Sequence, residues 1–250
     1  MNQAFSLKDK TILITGASNG IGKAVAQLAD NFQAKLILTG RNEERLQTVK
    51  DSLTGVNHKI NIADLTQTNE LEKLIKEIDQ LDGIVHSAGI VKPLPIQFLK
   101  KNKIDEIANI NFYAPVEINR LLFKQKKINK NASIVFISSI SSHHPFKGGA
   151  VYTSFKAALE TYSKSIALEM AHKGIRSNCI KAGLVETHIM EVTAKAASKE
   201  SLENHRKQYP LGFGKPEDVA NAVVFLLSDA SQWMTGTDLV LDGGLTISKQ

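Results

Sequence analysis

A single cysteine, Cys179, occurs in 250 residues. It excludes an intramolecular disulfide and any cysteine-rich zinc module. Six prolines and sixteen glycines are too few for a proline-rich or collagen-like chain. Long apolar runs are also missing. Stretches such as Ser133–Ile137 are only a few residues long, far short of the ~20 that a membrane helix needs. The opening MNQAFSLKDK lacks the apolar core of a secretory leader, so the expectation is a cytoplasmic protein. Paired metal-ligand spacings are absent too: His143 and His144 are adjacent and match no zinc motif, so no metal is expected.

What remains is ordinary globular material. Apolar residues make up 42% and charged residues 22%, which supports a sizeable core and excludes a disordered chain. At this length a single α/β domain spanning 1–250 is expected. The net charge is +6. Its densest patch, Lys124, Lys126, Lys127 and Lys130, reads as a solvated helix end and loop. No nucleic-acid recognition motif accompanies it, so no nucleic-acid partner is expected.

Short apolar runs alternate with amphipathic ones along the whole chain. Strands are predicted at Thr11–Thr15, Lys35–Thr39, Lys59–Ile62, Gly83–His86, Ser133–Ser138, Ile175–Ile180 and Asp238–Leu241. Between them the 3.6-residue period predicts helices at Ile21–Phe32, Glu43–Leu53, Thr68–Asp79, about Ile104–Ile128, Ala150–Ala171 and Pro216–Leu227. Strands apolar on both faces belong in a parallel sheet covered by helices on both sides. The fold class is therefore a doubly wound α/β (Rossmann) sheet, with ligands expected beyond the carboxyl ends of its strands.

The first strand runs into Thr15-Gly16-Ala17-Ser18-Asn19-Gly20-Ile21-Gly22 and then a helix. Glycines let backbone approach a phosphate, and a helix N-terminus attracts the anion. The spacing G-x-x-x-G-x-G is a variant of the dinucleotide pattern; three glycines in a turn also serve a purely structural bend. A P-loop is excluded, because Ala17 stands where its first glycine belongs and Ala24 supplies no hydroxyl after Gly22-Lys23.

From Thr11 to Gly244 the chain resembles the short-chain dehydrogenase/reductase family. The motifs that carry the resemblance are the glycine turn, Asp64 after the third strand, the Ala88-Gly89 turn and the mid-helix Asn111. Ser139, the Tyr152/Lys156 pair thirteen residues later, Gly183 with Thr187, and the closing Asp242-Gly243-Gly244 complete them. The pattern is most similar to the 3-oxoacyl-[acyl-carrier-protein] reductase branch, which shares its motifs with sugar, steroid and small-ketone enzymes. The resemblance implies a catalytic set of Asn111, Ser139, Tyr152 and Lys156. It implies cofactor contacts from Gly16, Ser18, Asn19, Gly20, Ile21, Gly22, Arg41, Asp64, Leu65, Ala88, Gly89, Tyr152, Lys156, Gly183, Val185 and Thr187. Tyr152 would donate the proton in reduction. Lys156 would pull the tyrosine pKa down and hold the nicotinamide ribose. Ser139 would hydrogen-bond the substrate oxygen, and Asn111 would hold a relay water.

The second strand ends in Thr39-Gly40-Arg41. An acid there would bind the ribose 2′-OH and repel a 2′-phosphate; its absence, with an arginine following, points to NADP(H) over NAD(H). The expected activity is NADPH-dependent reduction of a carbonyl, a 3-oxoacyl thioester or small ketone, possibly carried on an acyl carrier protein. Alternatives are a non-catalytic NADPH sensor and a sugar, polyol or steroid-type alcohol dehydrogenase. A homotetramer or homodimer is expected, with Ile118, Leu121, Leu122, Leu159, Tyr162 and Ile166 as a candidate apolar face. Two departures stand out. His86-Ser87 replace two asparagines, and a packed, hydrogen-bonded histidine is expected there. Ala182 replaces a proline and is expected to loosen the next loop. The polar stretch 186–210 is expected to be a variable substrate-binding insertion. Cys179 is expected to be a small buried hydrophobe.

Overall fold

The computed structural model describes residues 3–187 and 199–248. Seven strands form one parallel sheet: β1 Thr11–Thr15, β2 Lys35–Gly40, β3 Lys59–Ile62, β4 Leu81–His86, β5 Ile128–Ser139, β6 Arg176–Ala182 and β7 Asp238–Leu241. Their order is β3-β2-β1-β4-β5-β6-β7. The order reverses between β1 and β4, and a crevice opens there at the strands' carboxyl ends.

Alternation along β1 explains the three layers. Ile12 and Ile14 face a core shared with helix α1 (Gly20–Asn31), helix α2 (Glu43–Asp51) and helix α8 (Pro216–Leu227). Leu13 faces the opposite core, packed with α3 (Thr68–Glu77), α5 (Ala114–Lys124) and α6 (Ala150–Met170). The remaining helices are α4 (Lys101–Ala108) and α7 (Lys199–Arg206). Local signals set the helix ends. Asn42 caps α2 by accepting from Arg45 N at 2.8 Å, and Pro216 opens α8 at a position that needs no amide donor.

Two predicted elements differ from the structure. The single helix over 104–128 is instead α4, a π-helical segment Asn109–Tyr113, and α5. The Ala114 amide reaches back to the Asn109 carbonyl, so one extra residue fits the turn. The chain leaves the helix at Lys124 because Lys126 takes a left-handed φ of 55°. Strand β5 then starts at Ile128, five residues earlier than predicted, where Ile128 pairs with Leu81. The basic patch is partly structural as well: the Lys127 ammonium donates to the carbonyls of Ile75 at 2.8 Å, Lys76 at 3.0 Å and Ile78, where a helix end accumulates partial negative charge.

Candidate active site

The glycine turn is shaped by close approach. Gly16 has φ 65°, and a Cβ there would lie 2.8 Å from Ala88 Cα; one on Gly22 would lie 2.4 Å from the Gly16 carbonyl oxygen. Thr15 ties this turn to the turn after β4, its Oγ1 accepting from the amides of Ser87 and Ala88, both at 3.1 Å. Asn19 caps α1 by accepting from Gly20 N at 2.7 Å.

A cleft of about 330 Å³ lies over these turns. Of the residues nominated for the cofactor, Gly16, Ser18, Asn19, Gly20, Ile21, Arg41, Leu65, Ala88, Gly89 and Thr187 line it. Gly40, Ala63, Ser87, Ile90 and Ile110 also line it; their signal in the sequence was only that most follow directly on a strand. Gly22 sits behind the turn. Asp64 turns its carboxylate onto its own loop, accepting from Thr66 N at 3.0 Å and Thr66 Oγ1 at 2.8 Å. Gly183 packs against Asp242, and Val185 bridges to Gly214. Residues 188–198 of the nominated insertion lie outside the described residues.

The donor chemistry of the cleft fits a dinucleotide phosphate. The N-terminus of α1 abuts it, glycine backbone lines it, and an exposed arginine stands at its rim without an acid at position 40. The positive charge of Arg41 reaches as far as Glu106, whose carboxyl is held below its usual range chiefly by the Lys92 ammonium.

Gly89 joins the cleft to the catalytic set. A Cβ on it would lie 2.7 Å from Asn111 Oδ1 and 3.8 Å from Lys156 Nζ. Asn111, buried in the π-helical segment, donates to the carbonyls of Ile107 at 2.9 Å and Ile90 at 3.0 Å and accepts from Ile90 N at 3.3 Å. Its side chain therefore fastens the β4 turn to the helix. Ser139 ends β5, and its side chain favours ionisation of the Tyr152 phenol. Tyr152 and Lys156, one turn apart on α6, present one face.

Burial pushes the Tyr152 phenol up to about 12, and Ser139 offsets part of that rise. The Lys156 ammonium donates to the Ile137 carbonyl at 2.7 Å and lies 5.5 Å from the Tyr152 ring centroid. Burial lowers Lys156 itself to about 8. The protein's own groups thus hold Tyr152 as a neutral phenol, the proton-donating form.

Sequence reading missed a buried ion pair behind Ser139, Glu160 with Lys181, and the exposed His143 beside it. Glu160 accepts from Ser138 Oγ at 2.6 Å, and its other oxygen lies 3.6 Å from Lys181 Nζ and 3.6 Å from His143 Nδ1. Lys181 also contacts His143 Nδ1. These residues come from three separate elements, so no local spacing announces them. The departures resolve as follows. His86 stacks on Phe136 at 4.7 Å and bonds Asn119 Oδ1 through Nε2 at 3.2 Å, while its Nδ1 has no partner among the described residues. It is packed as expected but satisfied at only one nitrogen, and burial drops it to about 4. Ala182 continues β6, paired with Leu241, and the next amide, Gly183 N, donates to Leu241 O at 2.8 Å. Cys179 is buried in β6, its thiol pushed up to about 12 by burial. Ile118, Leu121, Leu122, Leu159 and Ile166, nominated for a subunit interface, are buried in the chain's own core, with Tyr162 packed against it.

Comparison with known proteins decides the family. The model described as Enoyl-(Acyl carrier protein) reductase matches residues 16–246. The chain is 36% identical over 240 residues to the 3-oxoacyl-[acyl-carrier-protein] reductase FabG of Rickettsia bellii, covering 96% of this chain and 98% of that protein. A short-chain type dehydrogenase/reductase from Mycobacterium marinum superposes with TM-score 0.85 at 29% identity, covering 98% of both chains. The chain belongs to the short-chain dehydrogenase/reductase family. It is an oxidoreductase that uses a nicotinamide cofactor. It is also similar to a structure described as an NAD(P)-dependent gluconate 5-dehydrogenase from Beutenbergia cavernae with NADP bound at low occupancy. That match has TM-score 0.87 and 27% identity, and covers 98% of this chain and 99% of that one. No helix among the described residues is long and apolar enough to cross a membrane.

Proposed function

We propose that this short-chain dehydrogenase/reductase reduces the ketone of a 3-oxoacyl thioester, carried on an acyl carrier protein, to a secondary alcohol with NADPH as cofactor. The observation that carries the reading is Tyr152 placed one helical turn from Lys156, whose ammonium lies 5.5 Å from the tyrosine ring centroid and beside Gly89 of the cleft. The relatives named 3-oxoacyl-[acyl-carrier-protein] reductase support the substrate class. The glycine turn, Arg41 and Gly89 would hold the cofactor, which supplies a hydride to the carbonyl carbon when bound. Tyr152 gives its phenolic proton to the carbonyl oxygen as charge develops there. Ser139 donates a hydrogen bond to the same oxygen. Lys156, anchored by the Ile137 carbonyl, keeps a positive charge beside the phenol as it ionises. Asn111 fixes the turn that carries Gly89.

The chain acts in this reading as one cytoplasmic dinucleotide-binding and catalytic domain. Segment 186–210 shapes the substrate side, and the protein assembles as a homotetramer or homodimer. A second reading, oxidation of a sugar acid or polyol, is favoured by the gluconate 5-dehydrogenase likeness. A panel of 3-oxoacyl thioesters with NADPH, and of gluconate and polyols with NADP⁺, separates the two. Turnover of any member excludes a non-catalytic NADPH sensor. Tyr152→Phe should keep NADPH binding and lower turnover by ~10²–10⁴-fold; turnover near the wild-type rate refutes the assignment.

A further inference from the structure

Four serines crowd the end of β5: Ser138, Ser139, Ser141 and Ser142. Ser138 is committed to Glu160, and Ser142 donates to the Ser139 carbonyl at 2.8 Å. Ser141 is different. It is buried, and its two donors converge on one atom, the hydroxyl oxygen of Ser139: the amide at 3.2 Å and the hydroxyl at 2.9 Å. The amide bond is a capping contact, in which Ser139 precedes the short turn Ile140–Ser142 and its side chain accepts from the second residue of that turn.

A serine hydroxyl has two acceptor lone pairs and one proton. Ser141 occupies both lone pairs of Ser139. The Ser139 proton is then turned away from Ser141, and the Tyr152 phenol is the neighbouring group whose ionisation Ser139 favours. We propose that Ser141 is a positioning residue whose hydroxyl turns the Ser139 proton outward, to Tyr152 Oη in the free enzyme, as a relay Ser141 O–H to Ser139 O–H to Tyr152 Oη, and to the reacting oxygen once substrate is bound. Each donated bond polarises the next, so Ser139 becomes a stronger donor than an isolated serine. The inference rests on the carbonyl-reductase reading for its consequence in turnover, but not for the hydrogen-bond order.

The test has two arms. In the first, tyrosines carry ¹³C at Cζ, and the Tyr152 signal among the four is assigned by its loss in Tyr152→Phe. Its shift reports the bond accepted at Oη. It should move in Ser139→Ala, move less in Ser141→Ala, and return in Ser141→Thr, while the other three signals stay. Ser141→Cys keeps the volume with a weaker donor and serves the same purpose should alanine unfold the turn. In the second arm, Ser141→Ala should lower kcat by about tenfold with KM within about twofold, less than the ~10²–10³ of deleting a direct oxyanion donor. The rising limb of alcohol oxidation should move to higher pH, because a weaker Ser139 donor stabilises the phenolate less; Ser141→Thr should restore both. A Tyr152 signal in Ser141→Ala that coincides with wild type overturns the proposal, as does a folded Ser141→Thr that restores nothing. A wild type that reduces no carbonyl refutes the proposed function, and the ¹³C arm still decides the relay.

Discussion

Gly40→Asp should reverse the cofactor preference, and the structure bounds the size of the effect. A Cβ at position 40 would meet only Ser18 Oγ at 3.6 Å and the two Leu46 methyls at 3.8 Å, ordinary contact distances, and Gly40 does not take a left-handed φ. Aspartate therefore enters without moving the backbone, and its carboxylate joins the cleft that Gly40 lines. In wild type, Arg41 meets the 2′-phosphate with charge-assisted hydrogen bonds worth about 1.5–3 kcal/mol. That corresponds to a roughly ten- to hundredfold preference for NADPH. Arg41 is exposed, so solvent screening favours the lower end. The new carboxylate acts on both cofactors. At about 5 Å and water-like screening it repels a doubly charged phosphate by about 1.7 kcal/mol, less in salt. It also accepts from the ribose hydroxyls of NADH, a gain of about 1.5–3 kcal/mol. Together these exceed the lower bound of the wild-type preference, so the variant should favour NADH by about tenfold or more. Arg41→Ala should weaken NADPH and leave NADH almost unchanged. The assay is Kd from reduced-nicotinamide fluorescence, which needs no substrate, followed by kcat/KM with both cofactors. A wild type that binds NADH as tightly as NADPH refutes the charge-pairing argument.

Two further predictions follow from groups remote from the chemistry. Burial alone would raise the Asp30 carboxyl, but bonds from the Thr54 amide and hydroxyl, the Gly55 amide and His58 outweigh it and hold it below its usual value. A depressed folded pKa contributes stability that is full above the unfolded value of about 4 and is lost as pH falls through the folded one. Asp30→Asn should therefore cost about 1.5–3 kcal/mol at neutral pH, and a denaturation gap that does not narrow in acid refutes this. For the assembly, the exposed Tyr113 beside Phe155 on α6 is one exposed apolar candidate. Sedimentation at micromolar concentration should give a dimer or tetramer that Tyr113→Glu weakens, and a wild-type monomer refutes it.

Much of the sheet is legible because each strand carries its own evidence. TILIT and KLILT are apolar on both faces, and a strand buried on both faces has no other composition available to it. The strand order then converts seven scattered loops into one edge, so Gly16, Arg41, Leu65, Ala88 and Thr187 meet around one cleft although they span most of the chain. The π-helical segment escapes because its signal is geometric: one additional residue leaves Ile107, Ala108 and Asn111 on buried positions and disturbs no apolar period visible in the sequence. The Lys181–Glu160–His143 network escapes for another reason. Buried charges are tolerated only when paired, and Glu160 and Lys181 come from α6 and β6, which the sequence alone does not bring together, while His143 reaches them from the loop after β5. Ser141 lies between these cases. Its serine is visible beside Ser139, but its importance depends on which lone pairs it occupies, and that follows only from the turn that folds its amide and hydroxyl back onto one oxygen. Residue type and order therefore reveal the groups that do the chemistry, while the groups that aim them become visible only through hydrogen-bond direction.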